Sequence, residues 1–241
     1  MLSIIIPTKN EEKYLPRLLE SIKGQSFTDY EIIVADNDSP DQTPVIARNF
    51  GCKVVKGGLP AAGRNRGAEA ATGDTLLFLD ADTELPDKDF LKDGLEEFER
   101  RDLSMGVPIA ITEGNYLDRL FFRWWNYFVA SSQFVKPLAG GWCILVKREI
   151  HEKLEGFDEK LMLGEDSDYA QRGAKLGKFR FMLSIKVMTS PRRLKKEGYL
   201  KVLMQDAGLG LYLLTHGKMD ETNRFGYEFD IYDKDEKKDG K

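Results

Sequence analysis

Short apolar runs, each followed by a cluster of polar residues, are the feature of this 241-residue chain that most constrains its fold. Runs of Ile, Val and Leu of this length are typical of strands that are buried on both faces. The runs lie at 3–6, 31–35 and 74–79, with a weaker one at 52–55. Segments with helical spacing separate them, at 11–23, 43–49 and 61–71. This alternation predicts an α/β protein with a mainly parallel, mixed sheet flanked by helices.

The second half of the chain has a less regular pattern. Strands are expected at 140–146 and 179–188, and helices at 147–154, 169–175 and 194–215, the last interrupted near Gly208. From about residue 228 the chain is dominated by charge, which predicts a flexible tail over 228–241. We therefore expect one domain over 1–227, composed of a first half (1–104) and a second half (105–227).

Three polar clusters follow their strands directly, at 7–10, 36–38 and 80–82. In sheets of this kind ligands bind at the carboxyl ends of the parallel strands, and these ends meet at one edge of the sheet. The sequence therefore predicts a binding site at this edge that draws on all three clusters.

Asp80 and Asp82 are the most informative residues of these clusters. In an extended chain they point to the same side, and at ~5 Å with an effective dielectric constant of ~20 their repulsion costs about 3 kcal/mol. A divalent cation removes this cost, and all-oxygen ligands favour Mg²⁺ or Mn²⁺, which would neutralise a bound diphosphate. The alternative is a turn or a helix cap. Asp80 follows an apolar strand directly, and this position favours the metal site over the turn or the cap.

Other charged residues are candidates with alternatives of their own. Asp36 follows the second strand, where its carboxylate is suited to accept the N–H of a pyrimidine base or, alternatively, to cap a turn. Arg64 and Arg66 lie near a predicted helix start and are suited to phosphate oxygens or to surface salt bridges.

Two charged pairs in the second half are also candidates. Glu165 or Asp166 is placed to deprotonate an acceptor hydroxyl, and the alternative is helix capping. Arg192 and Arg193 are placed to stabilise a departing diphosphate, and the alternative is a solvated basic turn.

Taken in order over roughly residues 2–193, these motifs resemble the inverting family 2 glycosyltransferases of GT-A fold. The segments that carry the resemblance are Ser-Ile-Ile-Ile-Pro-Thr-Lys-Asn-Glu (3–11), Glu-Ile-Ile-Val-Ala-Asp-Asn-Asp-Ser (31–39), Ala-Ala-Gly-Arg-Asn-Arg-Gly-Ala (61–68), Leu-Phe-Leu-Asp-Ala-Asp-Thr (77–83) and Gly-Glu-Asp-Ser-Asp-Tyr-Ala-Gln-Arg (164–172). Each motif is weak alone, but five in the family's order are specific.

The resemblance implies a reaction. A hexosyl or N-acetylhexosaminyl group would pass from a nucleotide-sugar donor, most often a UDP-sugar in relatives with a GDP-sugar as the alternative, to an acceptor hydroxyl or lipid phosphate. The transfer would be a single displacement with inversion, with Mn²⁺ or Mg²⁺ as cofactor. The first half would bind the donor, and the second half would bind a glycan or lipid-linked acceptor.

The resemblance also implies roles for particular residues. Asp166 would be the catalytic base, Asp82 the direct metal ligand, and Asp80 would lie nearer the ribose or the metal's waters. The donor-binding residues would be Pro7, Thr8, Asn10, Glu11, Asp36, Asp38, Arg64, Asp80, Ala81, Arg192 and Arg193. The acceptor side would comprise Gly141, Trp142 and Glu165.

One motif departs from the family pattern. Many relatives place a metal-binding histidine after the last strand, where this chain reads Val-Met-Thr-Ser-Pro-Arg-Arg (187–193). His151 and His216 lie elsewhere and are expected to be structural. We therefore expect Ser190, Arg192 and Arg193 to share the charge of the diphosphate.

Two other functions stay open at this point. Asp80-Ala81-Asp82-Thr83 also fits the Asp-x-Asp-x-Thr signature of haloacid-dehalogenase-like phosphohydrolases, whose nucleophilic aspartate usually lies on an N-terminal strand. A non-catalytic binder of nucleotide sugars on the same fold is the second alternative, because fold alone does not fix function.

Composition and hydropathy bound the partners. With 36 Lys+Arg against 40 Asp+Glu the formal charge is −4, so no nucleic-acid partner is expected. No signal peptide is expected, because residues 3–7 lack a basic n-region and a full apolar stretch, and no run of about 18 apolar residues occurs; we therefore expect a cytoplasmic protein. The aromatic segment 117–135 contains Arg119 and Arg123. It is expected to lie at the inner face of the cell membrane, or to pack on the sheet or on a second copy in a homodimer.

Overall fold

A computed structural model describes residues 1–161 and 163–216 of the chain. These residues form one mixed sheet with helices on both faces. The strands are β1 (Leu2–Thr8), β2 (Tyr30–Asp36), β3 (Lys53–Lys56), β4 (Thr75–Leu79), β5 (Thr83–Glu84), β6 (Met105–Ile111), β7 (Cys143–Lys147) and β8 (Phe179–Thr189). The helices are α1 (Leu15–Lys23), α2 (Thr43–Asn49), α3 (Pro60–Ala70), α4 (Phe90–Arg100), α5 (Tyr116–Ser132), α6 (Arg148–Lys153), α7 (Glu165–Leu176), α8 (Arg192–Glu197) and α9 (Tyr199–His216).

The strand order is β3-β2-β1-β4-β7-β6-β8-β5. The first four strands of this order are parallel. β7 runs antiparallel to both β4 and β6, β8 is parallel to β6, and β5 is antiparallel to β8. The prediction of a mainly parallel, mixed sheet flanked by helices is therefore confirmed.

Both faces of the sheet are buried, each against its own core. Alternate residues of each strand point to opposite sides and so enter different cores. Ile4 and Ile6 of β1 belong to a core that also contains the apolar stripe of α1 and residues of α4. Ile5 belongs to the other core, which contains residues of α3, α6 and α7. Burial of a side chain of this size contributes about 1.5–3 kcal/mol, so the central strands hold both layers in place.

The close approach of α3 to β1 depends on a glycine. A Cβ at Gly67 would overlap Cγ2 of Ile5, so only glycine lets the helix lie this near to the central strand. Arg64 precedes Gly67 by one helical turn, and the same approach places its side chain at the carboxyl ends of β1 and β4.

Some element boundaries differ from those expected. α1 begins at Leu15 rather than at residue 11, because Pro16 lacks an N–H and is tolerated only in the first turn of a helix. α7 begins at Glu165 rather than at residue 169. The expected helix 194–215 divides at Gly198, whose φ of +83° ends α8, and not near Gly208.

Other expectations are not tested. The tail 228–241 lies outside the described residues, so the domain boundary at 227 stays a prediction. Among the described residues, no helix combines the length and the apolar character that a bilayer crossing requires.

Candidate functional site

A cavity of about 440 Å³ lies at the carboxyl ends of β1 and β4. It brings together fifteen of the residues that the sequence singled out, from both halves of the chain. They are Pro7, Thr8, Asn10, Glu11, Arg64, Asp80, Ala81, Asp82, Gly141, Trp142, Glu165, Asp166, Ser190, Arg192 and Arg193. The predicted location of the site therefore agrees with the geometry, while the roles of the residues stay predictions.

Asp36 and Asp38 do not line this cavity. Asp36 is buried and accepts hydrogen bonds from Oγ1 of Thr8 at 3.0 Å and from the backbone N–H of Ser39 at 2.9 Å. Asp38 is exposed and lies 3.4 Å from Nζ of Lys56. These bonds give Asp36 the turn-closing role that the sequence left open, and contact with a base stays a prediction.

Arg64 is 3% exposed and joins the two sides of the cavity. Its guanidinium donates to Oε1 of Glu165 at 2.8 Å and to Oδ1 of Asp80 at 3.0 Å. It also reaches the carbonyl oxygen of Gly141 at 3.4 Å, where a Cβ on Gly141 would lie 2.6 Å from the guanidinium. The alternative of a surface salt bridge is therefore wrong for Arg64. Arg66 instead donates to the carbonyl oxygen of Gly57.

A second guanidinium, that of Arg192, occupies the other end of the aspartate pair. Its Nε lies 3.0 Å from Oδ2 of Asp82, and its two terminal nitrogens meet the carboxylate of Glu11 at 2.9 and 3.1 Å. It also lies 4.8 Å from the ring centroid of Tyr14. The alternative of a solvated basic turn is therefore wrong for Arg192.

Strand β5 explains how Arg192 reaches this position. Thr83 of β5 pairs with Thr189 of β8, and the backbone N–H of Ser190 donates to the carbonyl oxygen of Asp82 at 3.2 Å. The chain then enters α8 with Arg192 beside Asp82. The next residue, Arg193, lies 2.9 Å from Asp206 and 3.3 Å from Glu197, so it is tied to α8 and α9.

The electrostatics of the aspartate pair follow from burial and from these partners. Burial raises the pKa of Asp80 to about 6; Arg64 lowers it and Asp82 raises it further. Burial also raises the pKa of Asp82, against the lowering effect of Arg192 and together with the nearby charge of Glu11. Both carboxylates therefore lie in an environment that favours an added positive charge.

The donor atoms of this pair suit Mn²⁺ or Mg²⁺. Asp80 and Asp82 offer oxygen only, and the negative charge of Asp82 raises the pKa of Asp80. Within the described part of the chain no group of three or more His, Cys, Asp or Glu side chains is arranged to hold a metal ion. A cation here would therefore need further oxygens from a ligand or from water, and it would share Asp82 with Arg192.

His151 is remote from this chemistry. It is buried, its Nδ1 lies 2.8 Å from the hydroxyl of Tyr169, and its ring contacts Phe78 and Phe157. Its expected structural role agrees with this placement. The side chain of His216 lies outside the described set.

The two acids at the start of α7 differ in their environment. Glu165 pairs with Arg64, whereas Oδ1 of Asp166 accepts the backbone N–H of Ser167 at 2.6 Å. Burial and the charge of Glu165 raise the pKa of Asp166 to about 8, and Arg64 opposes this rise. Gly164 occupies the N-cap with φ +77°, and no side chain caps the helix. Glu165 and Asp166 lie in the first turn of α7, where acidic side chains are favoured by the helix dipole, so this alternative stays open beside the catalytic one.

Part of the cavity wall was not expected from the sequence. Phe121, Phe122 and Trp125 of α5 line it, together with Val202 and Leu209 of α9. The spacing of the three aromatic residues places them on one side of α5, which is a signal that the sequence does contain. The membrane contact, the homodimer and the cytoplasmic location stay predictions.

Comparison with known proteins gives consistent matches. Residues 3–155 match the profile of the family described as glycosyl transferase family 2. The 4,4'-diaponeurosporenoate glycosyltransferase of Staphylococcus haemolyticus is 39% identical over 109 residues, which are 42% of this chain and 29% of that protein. The poly(ribitol-phosphate) β-N-acetylglucosaminyltransferase TarS of Staphylococcus aureus is 37% identical over 101 residues, 38% of this chain and 18% of TarS. The matched stretches therefore span well under two thirds of these relatives.

Two solved structures extend the match to the fold. TarS in complex with UDP-GlcNAc superposes with a TM-score of 0.64 at 21% identity, covering 78% of this chain and 58% of that one. The mannosyltransferase PcManGT from Pyrobaculum calidifontis, in complex with GDP-Man and Mn²⁺, gives a TM-score of 0.66 at 22% identity, covering 78% and 56%. The GT-A fold expected from the sequence is thereby confirmed.

Proposed function

Because the chain belongs to glycosyl transferase family 2, we propose that it transfers a sugar from a nucleoside-diphosphate sugar to an acceptor hydroxyl or lipid phosphate. The observation that carries this proposal is the single cavity that holds the aspartate pair Asp80 and Asp82 together with Asp166. The first two are suited to a divalent cation that binds the donor's diphosphate, and the third is suited to the acceptor.

On the donor side, the site has a charge pattern that suits a diphosphate. Arg64, Arg192 and Arg193 line the cavity around the aspartate pair, and arginine recognises phosphate oxygens bidentately. We take a UDP-sugar as the first choice and a GDP-sugar as the second, and the donor complexes of TarS and PcManGT support both classes.

A divalent cation, Mn²⁺ or Mg²⁺, belongs to the proposal, and the Mn²⁺ in the PcManGT complex supports it. Asp82 and Asp80 would hold it, and when bound it supplies positive charge for the leaving diphosphate. Arg192 contributes a second positive charge at the same place, since it already contacts Asp82. Together these charges stabilise the leaving group.

On the acceptor side, Asp166 is the proposed base. A raised pKa makes its carboxylate a stronger proton acceptor than an ordinary aspartate. In the proposed step the acceptor oxygen bonds to the anomeric carbon as the bond from that carbon to the diphosphate breaks. The acceptor's proton passes to Asp166, and the configuration inverts. Glu165 is less suited to this role, because its carboxylate is held in an ion pair with Arg64.

The variant Asp166→Asn tests the proposal. We expect transfer to fall at least about 100-fold, because the general base is lost, while calorimetry shows unchanged binding of the donor with Mn²⁺. Asp93→Asn serves as the matched control, since Asp93 lies in the first turn of α4 and outside the cavity. Retained transfer, or loss of donor binding, in Asp166→Asn contradicts the assignment.

The same assay separates the alternatives. The family match includes residues 80–83, the segment on which the phosphohydrolase alternative depends, and so argues against it. A non-catalytic binder would bind the nucleotide sugar but release no nucleoside diphosphate from it, with or without acceptor.

A further inference from the structure

Helix α5 presents an apolar surface to the outside of the protein. Tyr116, Leu117, Leu120, Trp124 and Tyr127 are between 46% and 78% exposed. At 100° per residue these five positions fall within about 100° of the helix circumference. The large exposed side chains of α5 therefore form one stripe along the helix and are not scattered over it.

Two positive charges border this stripe. Arg119 and Arg123 are exposed, and their positions adjoin Tyr116 on the side away from Leu117. The acidic residue of α5, Asp118, is buried and accepts hydrogen bonds from the hydroxyl of Tyr199 at 2.8 Å and from the backbone N–H of Asn115 at 2.7 Å. The outward face of α5 is therefore basic, although the whole chain has a formal charge of −4.

The opposite side of the same helix is committed to the protein. Phe121, Phe122 and Trp125 line the cavity, and the side chain of Asn126 bonds both backbone groups of Ala110 in β6, at 2.6 and 3.1 Å. These contacts fix the rotation of α5 about its axis. The exposed stripe is therefore held in one direction by the fold.

Helices that lie in the plane of a membrane interface typically carry an apolar stripe with Trp and Tyr, bordered by Arg or Lys. The outward face of α5 has this composition. The two arginines favour a membrane over a second copy of the chain as the partner of this face. A symmetric dimer brings the same patch of each subunit together, so it would place Arg119 and Arg123 of both copies in one interface. An anionic surface complements the same two charges instead.

We propose that the outward face of α5 binds an anionic membrane surface. The other side of α5 lines the cavity, so the bound surface lies next to the acceptor side of the cavity. Leu200 and Met204 of α9 are 70% and 67% exposed. They follow Tyr199, whose hydroxyl bonds to Asp118 at the start of α5.

Co-sedimentation of the full chain with lipid vesicles tests this proposal. We expect binding to vesicles that contain phosphatidylglycerol and none to pure phosphatidylcholine. The double variant Arg119→Glu/Arg123→Glu should weaken binding at least about tenfold. Lys92→Glu/Arg100→Glu is the matched control, because both residues are exposed on α4, and it should bind as the unaltered chain does.

A second readout removes dependence on net charge. Trp124 fluorescence should shift to shorter wavelength when vesicles are added, and Trp124→Phe should remove that shift while circular dichroism shows an unchanged fold. Equal loss of binding in the α4 control, binding independent of anionic lipid, or a shift that survives Trp124→Phe would overturn the proposal. The proposal would also be overturned if the unaltered chain failed to bind vesicles and instead formed a dimer that persists in Arg119→Glu/Arg123→Glu.

Discussion

At the scale of single residues, Arg192 decides the state of the proposed metal site. It lies against Asp82 and forms a two-point ion pair with Glu11, which is 181 positions away in the chain. A residue that is already a cation therefore meets the carboxylate that would bind a metal ion. If Asp82 binds a metal ion as proposed, the adjacent charge of Arg192 would weaken the binding of the metal alone.

Replacement of Arg192 tests this competition. In Arg192→Gln we expect Mn²⁺ alone to bind at least about fivefold more tightly, because a positive charge next to Asp82 and Glu11 is removed. Nucleoside diphosphate without metal should bind more weakly. Isothermal titration calorimetry measures both.

The control for this variant is Arg17→Gln, because Arg17 also pairs with a carboxylate, Glu84 at 2.8 Å, but lies outside the cavity. If Arg192→Gln and the control bind Mn²⁺ alike, Asp82 is not part of the metal site.

The sequence predicts which residues gather at the site better than it predicts their partners. Thr8 ends β1, and Asp80 and Asp82 follow β4; both strands are buried, and the topology of such sheets places strand ends together. The pair of Arg192 with Glu11 could not be predicted, because it depends on where β8 returns to the sheet. Asp36 shows the same limit: its place and a turn-closing role were predictable, but its hydrogen bond with Thr8, 28 positions away in the chain, was not.

At the scale of secondary-structure elements, the contact of α3 with β1 positions Arg64. The expected strands at 3–6, 31–35 and 74–79 were predictable because their apolar runs are uninterrupted. β6 was not, because Gly106 and Pro108 weaken a strand pattern, and a bulge between Pro108 and Ile109 interrupts its pairing. α4 carried a readable signal in Phe90, Leu91 and Phe98, which are spaced as one helical face.

A methyl group at Gly67 tests the role of the α3 contact. Gly67→Ala should lower the free energy of unfolding by about 1–3 kcal/mol, because the added carbon overlaps Ile5 in a packed core. Donor binding should weaken as well, since Arg64 is displaced with the helix. Denaturant unfolding and calorimetry measure the two effects.

Gly24→Ala is the comparison for this variant, because its added carbon would meet its nearest neighbour at an ordinary 3.5 Å. Equal stability of the two variants would show that α3 can shift without cost.

At the scale of the whole molecule, the acids of the cavity make folding stability depend on pH. The pKa of Asp166 is raised to about 8 in the folded protein, against about 3.9 for an unfolded aspartate. The folded state therefore holds this proton more tightly, and the stabilisation it gives is lost as pH rises toward 8. His151 has the opposite effect on stability, because burial lowers its pKa to about 4 and stability therefore rises with pH as the unfolded histidine loses its proton. This effect is confined to pH values below about 6.5.

The window between pH 6.5 and 8 therefore isolates the cavity acids. We expect the unfolding temperature of the ligand-free protein to fall across this window, and Asp166→Asn to flatten the dependence. Differential scanning calorimetry measures both proteins. A rise in the unfolding temperature of the unaltered chain, or an unchanged slope in Asp166→Asn, would place the proton elsewhere.

The strand order has a consequence for how substrates enter. β4 and β5 both precede residue 105, yet β7, β6 and β8 lie between them in the sheet. In the sheet, strands from the first half of the chain thus lie on both sides of the strands from the second half. A sheet interlocked in this way contains no hinge line about which the two halves could rotate apart. Any change in the shape of the cavity would therefore involve segments that rest on the sheet, such as α8 and α9, rather than separation of the two halves.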